Sequence, residues 1–295
     1  MSTAFMPTEP TQVTLAVFEL CLLLAGGVLV YRLLLIPAKR TRWLGSNRLA
    51  PWPVTLPEFL LFVVLPILSG YLFQGVLRAL LRDTIVASPD REGLQIIVYG
   101  AGFNGGALLS LLLYPSLRKG WATVPGTARS EIPSGPTLPW SKVALHAGAT
   151  LLVVLPVITI LSLGWTWLVR QLGLSDKPQD LIAVFANTRS PLIFAGMFLV
   201  SCVLAPLFEE LLFRAGLYRF FRQRLGRSWA LVISGCLFGA LHDNWVSFPP
   251  LAVLGVIFAL AYEASGDIRV PIVAHSLFNL NAVLMVLSGL SQNSS

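Results

Sequence analysis

The chain has 295 residues, of which 55% are hydrophobic and only 12% charged. Soluble domains carry about 25% charged residues, so the composition excludes an ordinary soluble protein and indicates an integral membrane protein. The net charge of +7 does not mark a nucleic-acid binder, because the arginines flank apolar segments, where they act as topology signals.

A membrane-crossing helix needs about 20 apolar residues. Eight stretches are candidates, near 13–36, 57–80, 93–114, 143–169, 190–217, 229–246, 249–263 and 270–290. The expected fold class is all-α, a polytopic transmembrane helical bundle of about eight helices. The first stretch lacks a basic lead-in and exceeds a signal-peptide core, so it reads as a retained helix. The seventh is short and is expected to tilt or be partly re-entrant. Gly100, Gly102, Gly105 and Gly106 let a neighbouring helix approach closely, and Asn104 among them reads as an interhelical hydrogen bond. Cys21, Cys202 and Cys236 lie in apolar runs without metal spacing and read as small buried hydrophobes. The Pro-, Gly-, Ser- and Thr-rich stretch 124–139 separates three early helices from five later ones. No internal repeat is visible. Residues 1–188 form membrane helices and loops of unassigned role, and 189–290 carry the chemistry.

Loop charge alternates. Residues 37–56 carry Lys39, Arg40, Arg42 and Arg48 without an acid. Residues 115–142 and 218–228 are also basic, whereas the intervening loops mix Arg82, Asp83, Asp90, Arg91 and Glu92, then Asp176, Lys177, Asp180 and Arg189. Positive charge marks the cytoplasmic side. The odd-numbered loops are therefore expected in the cytoplasm and both termini outside.

In the fifth stretch Glu209 and Glu210 stand side by side, with Arg214 one helical turn beyond Glu210. A carboxylate at membrane depth costs roughly 2.5–3.5 kcal/mol on insertion scales and is functional by default. The sixth stretch adds Phe238 and His242, and the eighth adds His275 and Asn279. Each of the three pairs is spaced i,i+4, which places both members on one helix face. At 1.5 Å per residue Glu209 lies about 12 Å, His242 about 16 Å and His275 about 8 Å from the cytoplasmic face, so one shared site is feasible. Pro206, just before the glutamates, removes a backbone hydrogen bond and tends to kink the helix.

Two arrangements of these groups would hydrolyse a peptide bond. In one, Glu209 with His242 holds and deprotonates a water, His275 and the Asn279 amide donate to the oxyanion, and Arg214 pairs with Glu210. In the other, Glu209, His242 and His275 ligate a divalent metal such as zinc. The His-Glu-x-x-His signature is absent, and the residues alone leave the choice open. A serine nucleophile is not favoured.

The pattern Glu-Glu-x-x-x-Arg, then Phe-x-x-x-His, then His-x-x-x-Asn resembles the CAAX-protease and bacteriocin-processing (Abi) family of intramembrane endopeptidases, including type II CAAX prenyl endopeptidases. The likeness covers roughly 189–290. It implies a catalytic core there, with a cavity open toward cytosol and lipid. It also implies an endopeptidase acting near the C-terminus of a membrane-associated peptide or lipidated protein, prenylated or bacteriocin-like. The same likeness implies Glu209 and His242 as the water-activating pair, and His275 with Asn279 as oxyanion donors or part of a metal site. Ala215 departs from the usual Gly after the arginine, with Gly216 one residue later.

Phe238 reads as packing, Asp243 and Asn244 as a helix-end cap, and Glu263 and Asp267 as loop polarity. The arginines from Arg219 to Arg227 read as topology and headgroup contacts. Two rival functions use the same residues: a non-catalytic membrane protein that binds a peptide or regulates a partner, and a proton-coupled carrier.

Overall fold

The computed structural model describes residues 9–37, 48–49, 52–121, 138–174, 184–185, 188 and 190–287. Among them are nine helices and no strand. They are α1 (Glu9–Leu35), α2 (Leu56–Leu80), the short α3 (Arg82–Ala87), α4 (Arg91–Trp121), α5 (Trp140–Gln171), α6 (Pro191–Leu225), α7 (Arg227–Ala240), α8 (Phe248–Ser265) and α9 (Arg269–Leu287). All but α3 and α7 are long and apolar enough to cross a membrane. The protein is a polytopic helical bundle.

The short helix is the sixth expected segment, not the seventh. α7 has 14 residues, whereas α8 has 18 and qualifies as a span. α7 stops at Ala240 because residues 241–247 turn. Asp243 adopts a positive φ of 44°, Asn244 Oδ1 accepts from Ser247 N at 2.9 Å, and prolines open α8. His242 therefore stands just beyond the helix rather than within it.

Local signals place the other ends. Glu58 Oε2 accepts from Thr55 N (2.8 Å) and Oγ1 (2.9 Å), a capping pair that starts α2. Ser190 Oγ accepts from Ile193 N at 3.4 Å and Pro191 fills the first turn of α6. Gly226, at φ 80°, makes the tight reversal from α6 into α7.

Successive long helices alternate in direction. At one end Arg224 Nη2 donates to Val54 O (2.7 Å), Arg48 N to Glu263 O (3.1 Å) and Arg269 Nη2 to Leu138 O (2.6 Å). At the other end Asp90 Oδ2 accepts from Ser190 N (3.0 Å) and Trp165 Nε1 donates to Trp245 O (3.3 Å). Among the described residues, Arg48, Arg222, Arg224 and Arg227 of the basic connections lie at the first end. Glu263, expected as loop polarity, is fully buried there and pairs with the partly exposed Arg222 (2.6 Å) and Arg227 (2.7 Å), so these two arginines have a protein carboxylate as partner. Asp267 likewise joins Arg269 (2.6 Å) and accepts from Leu138 N (3.0 Å).

α2 and α4 form the most extensive helix pair. A Cβ on Gly106 would lie 2.5 Å from Ser69 O and 2.8 Å from Phe73 Cβ, whereas one on Gly105 would meet nothing. Gly106→Ala is expected to cost about 1–3 kcal/mol through overpacking, and Gly105→Ala to be near neutral. Thermal unfolding of the two variants in one detergent checks this. Asn104 differs from expectation, since its amide donates to Gly100 O (2.8 Å) within its own helix. Of the cysteines only Cys202 is buried; Cys21 and Cys236 are exposed.

The largest apolar core joins Phe59 and Phe62 of α2 to Phe208, Phe213 and Phe220 of α6, Phe238 of α7 and Phe258 of α8. Leu24, Leu72 and Leu112 instead point outward from α1, α2 and α4, as side chains facing lipid would.

Candidate active site

α6 is not a regular helix. Val200–Leu204 and Leu211–Tyr218 are wound with π-type hydrogen bonding, and the α-helical turn Ala205–Glu210 lies between them. Such bulges often sit at functional sites. The first has a readable cause. Ala205 N donates to Val200 O, five residues back, and in that register the next donor would be residue 206. Residue 206 is proline and has no N–H. The carbonyl of Ser201 takes the Asn279 Nδ2 donor instead, at 2.8 Å. Asn279 thus ties α9 to α6 one turn from His275, and one of its two amide hydrogens is committed to that bond.

The second half of the site is a buried charge cluster. Glu210 and Arg214 are both 0% exposed and His275 is 3% exposed. Glu210 Oε1 lies 2.9 Å from Arg214 Nη1 and 2.8 Å from His275 Nδ1. The arginine contact is an ion pair whose N–H is not well aligned on the oxygen. Arg214 Nη2 also donates to Gly255 O at 3.3 Å. Its guanidinium lies over the Phe238 ring, 4.4 Å from the centroid, with Phe258 at 5.3 Å. Phe258 and Phe238 also contact the His275 ring, at 5.2 and 5.7 Å. Cation–π contact and the shared carboxylate oxygen together fix the guanidinium in a dry pocket.

His275 faces both acids. Its Nε2 is 3.9 Å from Oε2 of Glu209, whose side chain is 24% exposed. That oxygen is itself buried and has no protein hydrogen-bond partner, and the same holds for Oε2 of Glu210. A gap too long for a direct hydrogen bond beside an unpaired buried oxygen is where a bridging water belongs. His242 is half-buried, with Nδ1 2.9 Å from Phe238 O and its ring 5.1 Å from the Phe238 ring. A carbonyl only accepts, so Nδ1 carries the proton and Nε2 is left as an acceptor.

The structure therefore brings Glu209, Glu210, Arg214 and His275 into one cluster. It attaches His242 through Phe238 and Asn279 through Ser201. Among the described residues no group of three or more His, Cys, Asp or Glu side chains is arranged to ligate an ion. The set Glu209, His242 and His275 is not assembled around a metal position, and His275 Nδ1 is already turned to Glu210. Two participants escaped the sequence reading. Phe258 and Gly255 of α8 contribute a ring and a carbonyl, which leave no polar letter in the sequence. Glu19, in the first apolar stretch, accepts from Asn281 Nδ2 at 3.3 Å, two residues past Asn279.

An all-helical, multi-pass bundle with acids, imidazole and guanidinium gathered between its apolar helices defines a membrane protein with an internal polar site. Residues 191–281 match the family described as Type II CAAX prenyl endopeptidase Rce1-like. That segment runs from the first residue of α6 into α9 and contains all six candidate residues. The chain is also similar to the Putative membrane peptidase YdiL of Bacillus subtilis (strain 168), 31% identical over 91 residues. The match covers 31% of this chain and 37% of that protein, little more than a third of the relative's length. No solved structure matches the chain.

Proposed function

We propose that the protein is an intramembrane endopeptidase in which Glu209 is the general base. The observation that carries this is the unpaired, buried Oε2 of Glu209 facing an imidazole whose other nitrogen is locked onto the Glu210–Arg214 pair. A water placed there gives one proton to Glu209 as its oxygen attacks the peptide carbonyl, with His242 Nε2 accepting its second hydrogen. In this step His275 carries a hydrogen on both ring nitrogens. His275 then donates Nδ1–H to Glu210 and Nε2–H to the oxyanion, with the remaining Asn279 amide hydrogen as second donor. Glu209 returns its proton to the leaving nitrogen, the second water proton passes by way of His242 to the freed amine, and the peptide parts as a carboxylate and an ammonium. Glu210 and Arg214 position His275 and do not touch the substrate.

The family description supports a substrate cut near its C-terminus and anchored by a prenyl group. The basic end of the bundle supports a cavity reached from the cytoplasm. The test uses purified protein in liposomes and two peptides ending in a CAAX sequence, one farnesylated, with products read by mass spectrometry. The expected result is release of the last three residues from the farnesylated peptide. No cleavage of either by protein with a normal melting transition overturns the peptidase reading, and equal cleavage of both overturns the lipid requirement. Because no three-ligand metal set is assembled, cleavage is expected to survive exhaustive chelation. Loss that zinc restores would require a different arrangement of Glu209, His242 and His275.

A further inference from the structure

At the end of the bundle opposite the Glu263 cluster, α2, α3 and α4 border an open cleft of about 750 Å³ lined by the exposed Arg78, Arg82 and Arg91. The three arginines come from three different helices. Arg91, Gln95 and Tyr99 follow one another at four-residue spacing and share one face of α4. Arg78 lies over the Tyr99 ring, 5.7 Å from its centroid, which holds one guanidinium against the wall. Among the described residues no carboxylate forms an ion pair with any of the three, and no acid lines the cleft. Asp90, next to Arg91, is turned instead to Ser190 N. A topology signal does not account for these cations, because they stand at the end of the bundle whose connections carry mixed charge.

Three guanidiniums and a side-chain amide lining one cleft suit the oxygens of a phosphate better than a single carboxylate, since each planar fork can engage two oxygens. Elsewhere on α2, which supplies Gly75, Arg78 and Ala79 to the cleft, Leu72 is 65%, Val76 49% and Leu80 75% exposed. We propose that this cleft binds the phosphate group of a membrane lipid, with the lipid's chains lying along α2.

The experiment titrates the purified full-length protein, in neutral micelles, with fluorescent phosphatidylglycerol. Unlabelled phosphatidylglycerol, diacylglycerol, glycerol phosphate and inorganic phosphate serve as competitors. Saturable binding displaced by phosphatidylglycerol but not by diacylglycerol is expected. Replacing Arg78, Arg82 and Arg91 by Gln should weaken it about fivefold per guanidinium, on the order of a hundredfold for all three. Gly75 also lines the cleft, and a Cβ there would meet nothing within 4 Å. Gly75→Leu should therefore fill the space and weaken binding with every charge intact and the melting temperature unchanged. If glycerol phosphate or inorganic phosphate displaces the probe as well as the lipid does, the phosphate site stands and its source is a soluble anion. Equal competition by diacylglycerol, or wild-type binding by both the triple variant and Gly75→Leu, overturns the proposal.

Discussion

Glu209→Gln is expected to lower peptide cleavage by about 10²- to 10⁴-fold, the usual contribution of a general base, while the protein stays folded. The amide keeps the size of the side chain and its capacity to hydrogen-bond a water, but it cannot take the water's proton. The fold should tolerate the change because Glu209 is the least enclosed member of the cluster, with its side chain 24% exposed and no ion pair to Arg214. Initial rates on the farnesylated peptide at saturating concentration, with the melting temperature measured in parallel, give the answer. Wild-type turnover by Glu209→Gln would end the assignment of Glu209 as base. Asn279→Ala offers a contrast, because it removes both an oxyanion donor and the bond to Ser201 O at 2.8 Å. It should reduce turnover and stability together, whereas Glu209→Gln should reduce turnover alone.

Much of the architecture could be read from the letters because membrane burial leaves a coarse signal. Runs of apolar residues set the long helices, and the expected starts near 57 and 190 fall close to Leu56 and Pro191. Basic loops gave an expected alternation, and among the described residues Arg224 meets Val54 at one end of the bundle and Asp90 meets Ser190 at the other. The pairing of Glu210 with Arg214 followed from i,i+4 spacing. What spacing could not supply was tertiary geometry. His242 was placed within a helix because Leu241 extends the apolar run, yet the turn set by Asp243 and Asn244 ends α7 two residues earlier. Glu263 looked like loop polarity because its partners, Arg222 and Arg227, lie far back in the sequence across the α6–α7 reversal. The use of the Asn279 amide depended on a π-register in α6 that only the Val200 to Ala205 bond exposes.

Arg214→Met should be among the most damaging substitutions to the fold, at about 3–5 kcal/mol, the cost of removing one partner from a buried ion pair. It leaves Glu210 at 0% exposure without its cation and removes the guanidinium from the Phe238 and Phe258 rings. Lysine should not rescue it. A compact ammonium cannot contact Glu210 and Gly255 O while also stacking on a ring, as the planar guanidinium does. The double change Arg214→Met with Glu210→Gln should recover much of the stability, because an apolar or neutral pair of similar volume replaces a buried ionic one at little cost. It should not recover cleavage. Without the Glu210 carboxylate, His275 Nδ1 loses the charged acceptor at 2.8 Å that aims its Nε2 at Glu209. Unfolding midpoints in one detergent, set beside turnover on the farnesylated peptide, separate the two effects. If the single variant melts with the wild type, the ion pair does not hold the helices. Were the double variant as active as the wild type, orientation of His275 by Glu210 would have no part in the chemistry.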